Sequence, residues 1–243
     1  MDNSLYVTLS RQLTLRRALD VTANNLANID TAGFKVESLM VQTDALSPTA
    51  APASEPIKYV IDNGLARNFG QGGLEHSSNP LDVAIEGDGF FAVQTPAGTR
   101  YTRDGRFGID AQNRLVDHQG NAVLSSSGAP ISVDPTKTDF AVAKDGTISQ
   151  GGKTLGKLGV SRFANLSALQ KQGDNLFDAG AAAAIPANSA RLHQGMVEHS
   201  NVQPVVEITQ LISITRAYER LTQMISQTQD LSQSAIQRLG KAA

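Results

Sequence analysis

Few of the 243 residues have the types and spacing that chemistry needs. Glu86 and Asp88 stand two positions apart, which on a strand would put two carboxylates on one face, the arrangement of an acid and a base for glycoside hydrolysis. Gly87 and Gly89 interleave with them and make the stretch a turn, where acidic residues are ordinary. His76, His118, His193 and His199 lack the i, i+4 spacing of two metal ligands on a helix. Ser125, Ser126 and Ser127 are not framed by the Gly-x-Ser-x-Gly elbow of a hydrolase nucleophile. Gly70, Gly72 and Gly73 would cradle a phosphate only between a strand and a helix N-terminus; a strand is expected from Leu74, so a flexible hinge is expected there. Asp104-Gly105 and Asp145-Gly146 lack the alternating oxygen ligands of a calcium loop and are expected to be tight hairpin turns. With no cysteine, there is no disulfide, thiolate metal site or thiol nucleophile. No catalytic, metal or cofactor site is predicted.

Composition narrows the class further. Apolar residues make up 40% of the chain, enough for a core, whereas aromatics make up only 5% and tryptophan is absent. A formal charge of −2 leaves no basic footprint for nucleic acid and no polybasic patch for a membrane surface. No apolar run approaches the roughly 20 residues that span a bilayer, so direct membrane insertion is not expected. Arg11, Arg16 and Arg17 interrupt the apolar positions of residues 5–19, and a conventional cleaved signal peptide is not expected either.

The elements that carry the strongest pattern lie at the two ends. Counting from Leu211, positions Leu211, Ile214, Tyr218, Leu221, Ile225, Thr228, Ser232, Ala235 and Leu239 alternate three and four apart, the a/d register of a helix that lies along another helix. A second row, Ala217, Met224 and Leu231, runs beside it, and Gln210, Gln223, Gln227, Gln229, Gln233 and Gln237 cover much of the rest. Such a helix over 201–239 would be about 60 Å long, too long for one compact domain to cover. At the other end, residues 3–29 are expected to be helical: Leu5, Leu9 and Leu13 share one side, then Leu15, Leu19, Leu26 and Ile29 take over with Thr22 in register. Asn24, Asn25 and Asn28 suit the last turns, and Gly33 is expected to end the helix with a left-handed turn.

Between the ends, residues 34–72 read as an extended linker, with Pro48, Pro52 and Pro56 among Ala, Ser and Thr. Residues 73–199 read as short strands and turns: Leu81, Val83 and Ile85 alternate with polar neighbours, Phe90 to Val93 form a second run, and further short runs follow at regular spacing. The chain is thus expected to be α+β, with helices over 1–33 and 200–243 paired as a discontinuous coiled-coil domain and a mostly antiparallel β domain inserted between them.

Three ordered stretches resemble the rod and hook proteins of the bacterial flagellar axis. Ala23-Asn24-Asn25-Leu26-Ala27-Asn28-Ile29-Asp30-Thr31-Ala32-Gly33-Phe34-Lys35 resembles the family's N-terminal signature. Asn79-Pro80-Leu81-Asp82-Val83-Ala84-Ile85-Glu86-Gly87-Asp88-Gly89-Phe90-Phe91, continued by Tyr101-Thr102-Arg103-Asp104-Gly105, resembles the central one. Ser200-Asn201-Val202 with Arg216-Ala217-Tyr218-Glu219 resembles the C-terminal one. A hook protein would carry an additional domain for which this chain has no room. Leu15 to Val21 and Ala235 to Gly240 are most similar to the proximal-rod member of the family, with the distal-rod member as the alternative.

The resemblance implies a structural subunit, not an enzyme, whose partners are other rod proteins, copies of itself and the flagellar type III export apparatus. It implies export in an unfolded state and assembly in the periplasm, with the terminal helices as the inner layer of a helical tube that transmits torque. The contact residues would be Leu15, Leu19, Leu26, Ile29, Leu211, Ile214, Tyr218, Leu221, Ile225 and Leu239. A peptidoglycan-acting hydrolase or adhesin is the rival from another class, and a soluble coiled-coil scaffold a third; the first lacks a catalytic constellation and the second does not account for the central signature.

Overall fold

Asp2–Ala27 form helix α1 and Pro204–Lys241 form helix α2, in a computed structural model that describes residues 2–46, 57–137 and 139–241. Pro204 opens α2 at the position where a missing N–H costs nothing, and acidic Glu207 follows in the first turn. α1 stops at Ala27, two residues short of the expected end, and Asn28 begins a turn in which its carbonyl accepts the Thr31 N–H at 3.2 Å. The chain divides into two compact units, one drawn from residues 1–27, 37–67 and 203–243, the other from 28–36 and 68–202. Asn28 to Gly33 and Ser200 to Val202 therefore belong with the strands, not with the helices as expected.

In the helical unit α1 and α2 run antiparallel. Gln12 donates to the Tyr218 hydroxyl at 3.1 Å, and thirteen residues later Asn25 donates to Glu207 at 3.1 Å. Where a linker was expected over 34–72, Glu37–Leu46 (β1) and Ile57–Arg67 (β2) pair as a long antiparallel hairpin with a bulge between Leu39 and Val41. The reason is placement. The three prolines, which cannot donate to a ladder, fall at 47–56 between the strands and outside the described residues, and their composition masks the extended stretches on either side.

The β unit contains Leu74–His76 (β3), Val83–Glu86 (β4), Phe90–Thr95 (β5), Gly98–Thr102 (β6), Gly108–Ile109 (β7), Leu115–Val116 (β8), Ala122–Val123 (β9), Ala141–Val142 (β10), Thr147–Gln150 (β11) and Lys153–Lys157 (β12). It continues with Val160–Arg162 (β13), Gln170–Lys171 (β14), Leu176–Asp178 (β15), Ile185–Pro186 (β16), Arg191–Gln194 (β17) and Met196–Glu198 (β18). Its pairings are antiparallel. The largest sheet runs β14-β15-β6-β5-β9-β8-β7, with β13 joining β5 to β16; β17 pairs with β4 and β18 with β3.

Adjacent Phe90 and Phe91 show how this unit is filled. Successive strand residues point to opposite faces, so Phe91 packs with Val83, Ile85, Val93, Phe107 and Ile148 in one core while Phe90 packs with Phe163, Leu169 and Phe177 in another. Both faces of β5 are covered, which is why its sequence does not alternate with polar residues. Phe69, Phe90 and Phe177 meet edge-on and Phe163 meets Phe90 at a tilt, with centroids 5.4–5.9 Å apart, a favourable aromatic geometry. The few aromatics of the chain are concentrated here.

Two expected turns differ in kind. Asp145-Gly146 does join β10 to β11, with Gly146 at φ +91°. Asp104-Gly105 joins no hairpin: the Val83 N–H donates to the Gly105 carbonyl at 2.9 Å, and a Cβ on Gly105 would lie 1.7 Å from the Val83 carbonyl oxygen. Glycine is needed there for a close backbone approach. Gly33 has both requirements. Its φ is +69°, and a Cβ would meet the Asp104 nitrogen at 2.5 Å and the Arg103 carbonyl carbon at 2.6 Å. It does not cap α1, which ended six positions earlier. Gly33→Val combines left-handed strain with that backbone clash, so unfolding stability should fall by at least about 1–3 kcal/mol; an unchanged urea midpoint would contradict the fit described.

Candidate assembly interface

Lys35, Arg103 and Glu198 are 2%, 3% and 1% exposed. They meet in the β unit, one from the turn segment after α1, one from the end of β6 and one from β18. Lys35 Nζ donates to Glu198 Oε1 at 2.5 Å and to the Gly70 carbonyl at 2.8 Å. Arg103 Nη1 donates to Glu198 Oε2 at 3.2 Å, and Nη2 to the Gly87 carbonyl at 2.9 Å. The Gly72 N–H is the third donor to the carboxylate, bonding Oε1 at 2.9 Å. The guanidinium also lies over the Phe90 ring, 5.2 Å from its centroid, an attractive cation–π placement. Burial pushes the Lys35 pKa down from its ordinary value, and the facing Glu198 carboxylate works against that shift. Arg103 is lowered for the same first reason and supported by Glu198 and Asp88. The glycine cluster is therefore no hinge: Gly72 presses on His199, whose carbonyl oxygen a Cβ would meet at 1.9 Å.

Amides complete the connections. The Val36 N–H donates to Asn201 Oδ1 at 2.8 Å, while Asn201 Nδ2 donates to the carbonyls of Asn68 and Gly70 at 2.8 and 2.9 Å. The Ser200 hydroxyl accepts the Val202 N–H at 3.2 Å. In the helical unit Asn25 does the same work. Its Oδ1 accepts the Glu37 N–H at 3.0 Å, and its Nδ2 donates to the Glu37 carbonyl at 2.7 Å and to Glu207. Arg67 Nε closes that group on Glu37 at 2.7 Å.

The structure thus brings together Asn25 in one cluster and Gly33, Gly87, Phe90 and Asn201 around the other. Phe34 is buried beneath Lys171, whose Nζ lies 4.6 Å from its centroid. Phe91 fills the larger core, and Gly89 admits Val160, whose Cγ1 a Cβ would meet at 2.6 Å. Asp82, with half-buried Leu81 beside it, is buried and accepts from Ser77 Oγ at 2.5 Å and Asn79 Nδ2 at 2.8 Å. Asn28 accepts from the Thr31 hydroxyl at 3.1 Å, Ile29 is half-buried, and Asn24 is exposed. Glu86 is exposed and shares a 2.7 Å contact with His193, which holds its carboxyl below the usual range. Glu37, Glu198 and Glu207 were not singled out by sequence reasoning, and Lys35 and Arg103 entered it only as members of the quoted signatures. A charged residue ending the run Met196-Val197-Glu198 was the available signal.

Along α2 cover varies with position, and Thr228, one of the expected a/d positions, is exposed. Glu207 is buried and Leu211, Ile214, Tyr218, Leu221 and Ile225 are half-buried, while most positions between them, including Arg216 and Glu219, are exposed. On α1, Leu15 is buried and Leu19 and Leu26 half-buried. Leu239 belongs to α2, but its side chain lies outside those described. Much apolar surface stays open: Leu9 and Leu13 on α1, Val205, Val206, Ile208, Ile212, Met224 and Leu231 on α2. Among the described residues no helix is long and apolar enough to cross a membrane, and no group of three ligating side chains could hold a metal ion.

A filled β unit carried with a helical unit that exposes rows of apolar side chains defines a subunit of a larger assembly. Residues 5–35 match the family described as flagella basal body rod protein, residues 84–150 the flagellar hook protein FlgE/F/G D1 domain, and residues 193–238 the flagellar basal body rod FlgEFG protein C-terminal region. The chain is 50% identical over 243 residues to flagellar basal-body rod protein FlgF of Caulobacter vibrioides, with 99% of each chain covered. It is 35% identical over 249 residues to FlgF of Mesorhizobium japonicum, again covering 99% of each. To flagellar basal-body rod protein FlgG of Bacillus subtilis it is 32% identical over 261 residues, covering 97% of this chain and 98% of that one. The chain belongs to the flagellar basal-body rod protein family and is a structural rod subunit.

Glu198→Gln should test the buried cluster. It leaves two cations facing a neutral amide, and breaking a buried pair from one side costs about 3–5 kcal/mol; a fall of that size in unfolding stability is expected in urea. Adding Lys35→Met should recover part of the loss. Strictly additive losses would show that Lys35 and Glu198 are not coupled.

Proposed function

We propose that this chain polymerises through its terminal helices into the proximal part of the flagellar rod, with α1 and α2 packing as a coiled coil. The observation that carries the reading is the pattern of cover on α2. The half-buried positions follow a three–four spacing from Leu211 to Ile225, and apolar rows on either side of that seam remain exposed. Val205, Ile208 and Ile212 share a face turned away from the seam, at i, i+3 and i+7. Ala217, Met224 and Leu231 form a row beside it. A helix in this state has one neighbour and surface for more.

Lengths agree with this. At 1.5 Å per residue the 38 residues of α2 extend about 57 Å and the 26 of α1 about 39 Å. Because Gln12 lies opposite Tyr218 in an antiparallel pair, the start of α1 falls opposite roughly residue 228. The last three turns of α2, with Leu231 at their beginning, reach past it. Repetition of one such contact by copies that do not close a ring generates a helical tube. Other rod and hook proteins would be its axial neighbours, the flagellar export apparatus its delivery route and the periplasm its place of assembly. No catalytic role is assigned to Glu86 or Asp88, and Glu86→Gln should leave swimming intact; loss of a peptidoglycan-cleaving activity in that variant, with rods still assembled, would favour the hydrolase reading.

The seam itself is tested by Leu221→Asp. A carboxylate would replace apolar burial that contributes about 1.5–3 kcal/mol, with a desolvation cost added at every copy. Incorporation into rods and motility should be lost while the β unit keeps its melting transition. Gln229→Glu, off the seam, should be milder. Normal assembly of the first with failure of the second would refute the register.

A further inference from the structure

The chain contains no cysteine and no tryptophan but has four methionines, so oxygen transfer to folded protein falls chiefly on thioether sulfur. Met1 lies outside the described residues, and Met196 is half-buried in β18. Met40 and Met224 are exposed, Met224 at 57%. Met224 stands seven residues from Ala217 and seven from Leu231, so the three occupy one row two turns apart. Half-buried Ala217 makes that row continuous with the seam against α1, and Leu231, 71% exposed, carries it into the stretch beyond α1. The occupant that fits is a helix with the same apolar character, and a second copy of this chain supplies one.

We infer that Met224 is an oxidation-sensitive contact of the assembling helix, an inference that rests on polymerisation through the terminal helices. A hydroperoxide delivers one oxygen atom to the Met224 sulfur. The O–O bond breaks, an S–O bond forms, sulfur gives up two electrons, and the peroxide leaves as water or the corresponding alcohol. The product is a polar, chiral sulfoxide in the middle of an apolar row. Covering it against a second copy desolvates the S–O dipole without a partner, so an oxidised subunit joins poorly. A subunit already in place has its sulfur covered and escapes oxidation. Sulfoxide reductases reverse the change, which makes the modification a control on free subunits and not permanent damage.

The test compares the free full-length chain with basal bodies isolated from cells that make it. Both are treated with hydrogen peroxide, and peptide mass spectrometry follows oxygen addition at Met40, Met196 and Met224. In the free chain Met224 should oxidise at least as fast as Met196; in basal bodies its rate should fall by about tenfold or more. Oxidised free chain should sediment as polymer at least about threefold less than untreated chain, with recovery after reductase treatment. Met224→Leu should abolish that sensitivity, and Met40→Leu should leave it. Equal Met224 oxidation in the free chain and in basal bodies would overturn the inference while leaving the rod reading intact, as would a Met224→Leu chain that still loses polymerisation on oxidation. Absence of the chain from basal bodies would remove the rod reading and this inference with it.

Discussion

The carboxylate of Glu198, sealed between Lys35 and Arg103, is the constraint on which the β unit depends. A charge moved out of water is tolerated only where partners replace its hydration, and here every partner comes from a different part of the sequence. Lys35 is the last residue of the N-terminal signature, Arg103 lies in the continuation of the central one, and Glu198 sits two residues before the C-terminal one. The cluster can form only when all three have reached their places. Its net contribution to stability need not be large for this to matter, because its geometry penalises every arrangement in which one ion is buried alone. Gly33 and Gly72 belong to the same constraint, since each lets backbone come close around the ions, and Gly87, at φ +94°, supplies a carbonyl that accepts from Arg103.

The asparagines of the signatures have a related logic. A side-chain amide donates and accepts at once, so one residue can satisfy both backbone groups of a neighbouring segment, as Asn25 does for Glu37. Asn201 does so for the paired stretches at Val36 and Asn68. Aspartate would keep the acceptor and lose the donor; serine would be too short. The signatures are rich in Asn and Gly because they serve places where chain segments begin and end, and where backbone groups lack regular partners.

Legibility followed periodicity. The three–four spacing of α2 was plain in the sequence, and so was its helical character; Leu211, Ile214, Tyr218, Leu221 and Ile225 are half-buried, while Thr228 is exposed. Short strands after Asp-Gly pairs were visible in outline, and so was the family, through three long motifs. The hairpin of β1 and β2 was hidden because prolines between two strands lower the strand character of the whole window. The buried ions were hidden for a different reason. Lys35, Arg103 and Glu198 are separated by 68 and 95 residues in sequence, and no local pattern distinguishes a charge that will be paired in a core from one that will face water. Gly105 was read as a turn residue because the pair Asp-Gly has that local meaning; the contact with Val83 that requires it is a property of the tertiary fold.

The two units differ in how completely they meet the needs of their own side chains. In the β unit, opposite faces of β5 are both filled and the charged residues inside it are paired. In the helical unit the polar groups at one end are paired, through Asn25, Glu37, Arg67 and Glu207, yet the apolar rows on the helices are left open. Fixing one polar cluster sets the rotation of α2 about its axis, because Glu207 is in register with Leu211, Ile214 and Leu221. The apolar rows that remain outside are then fixed in direction as well. The polymerisation proposed above uses that combination: contacts absent from the single chain, with their direction already set when copies meet.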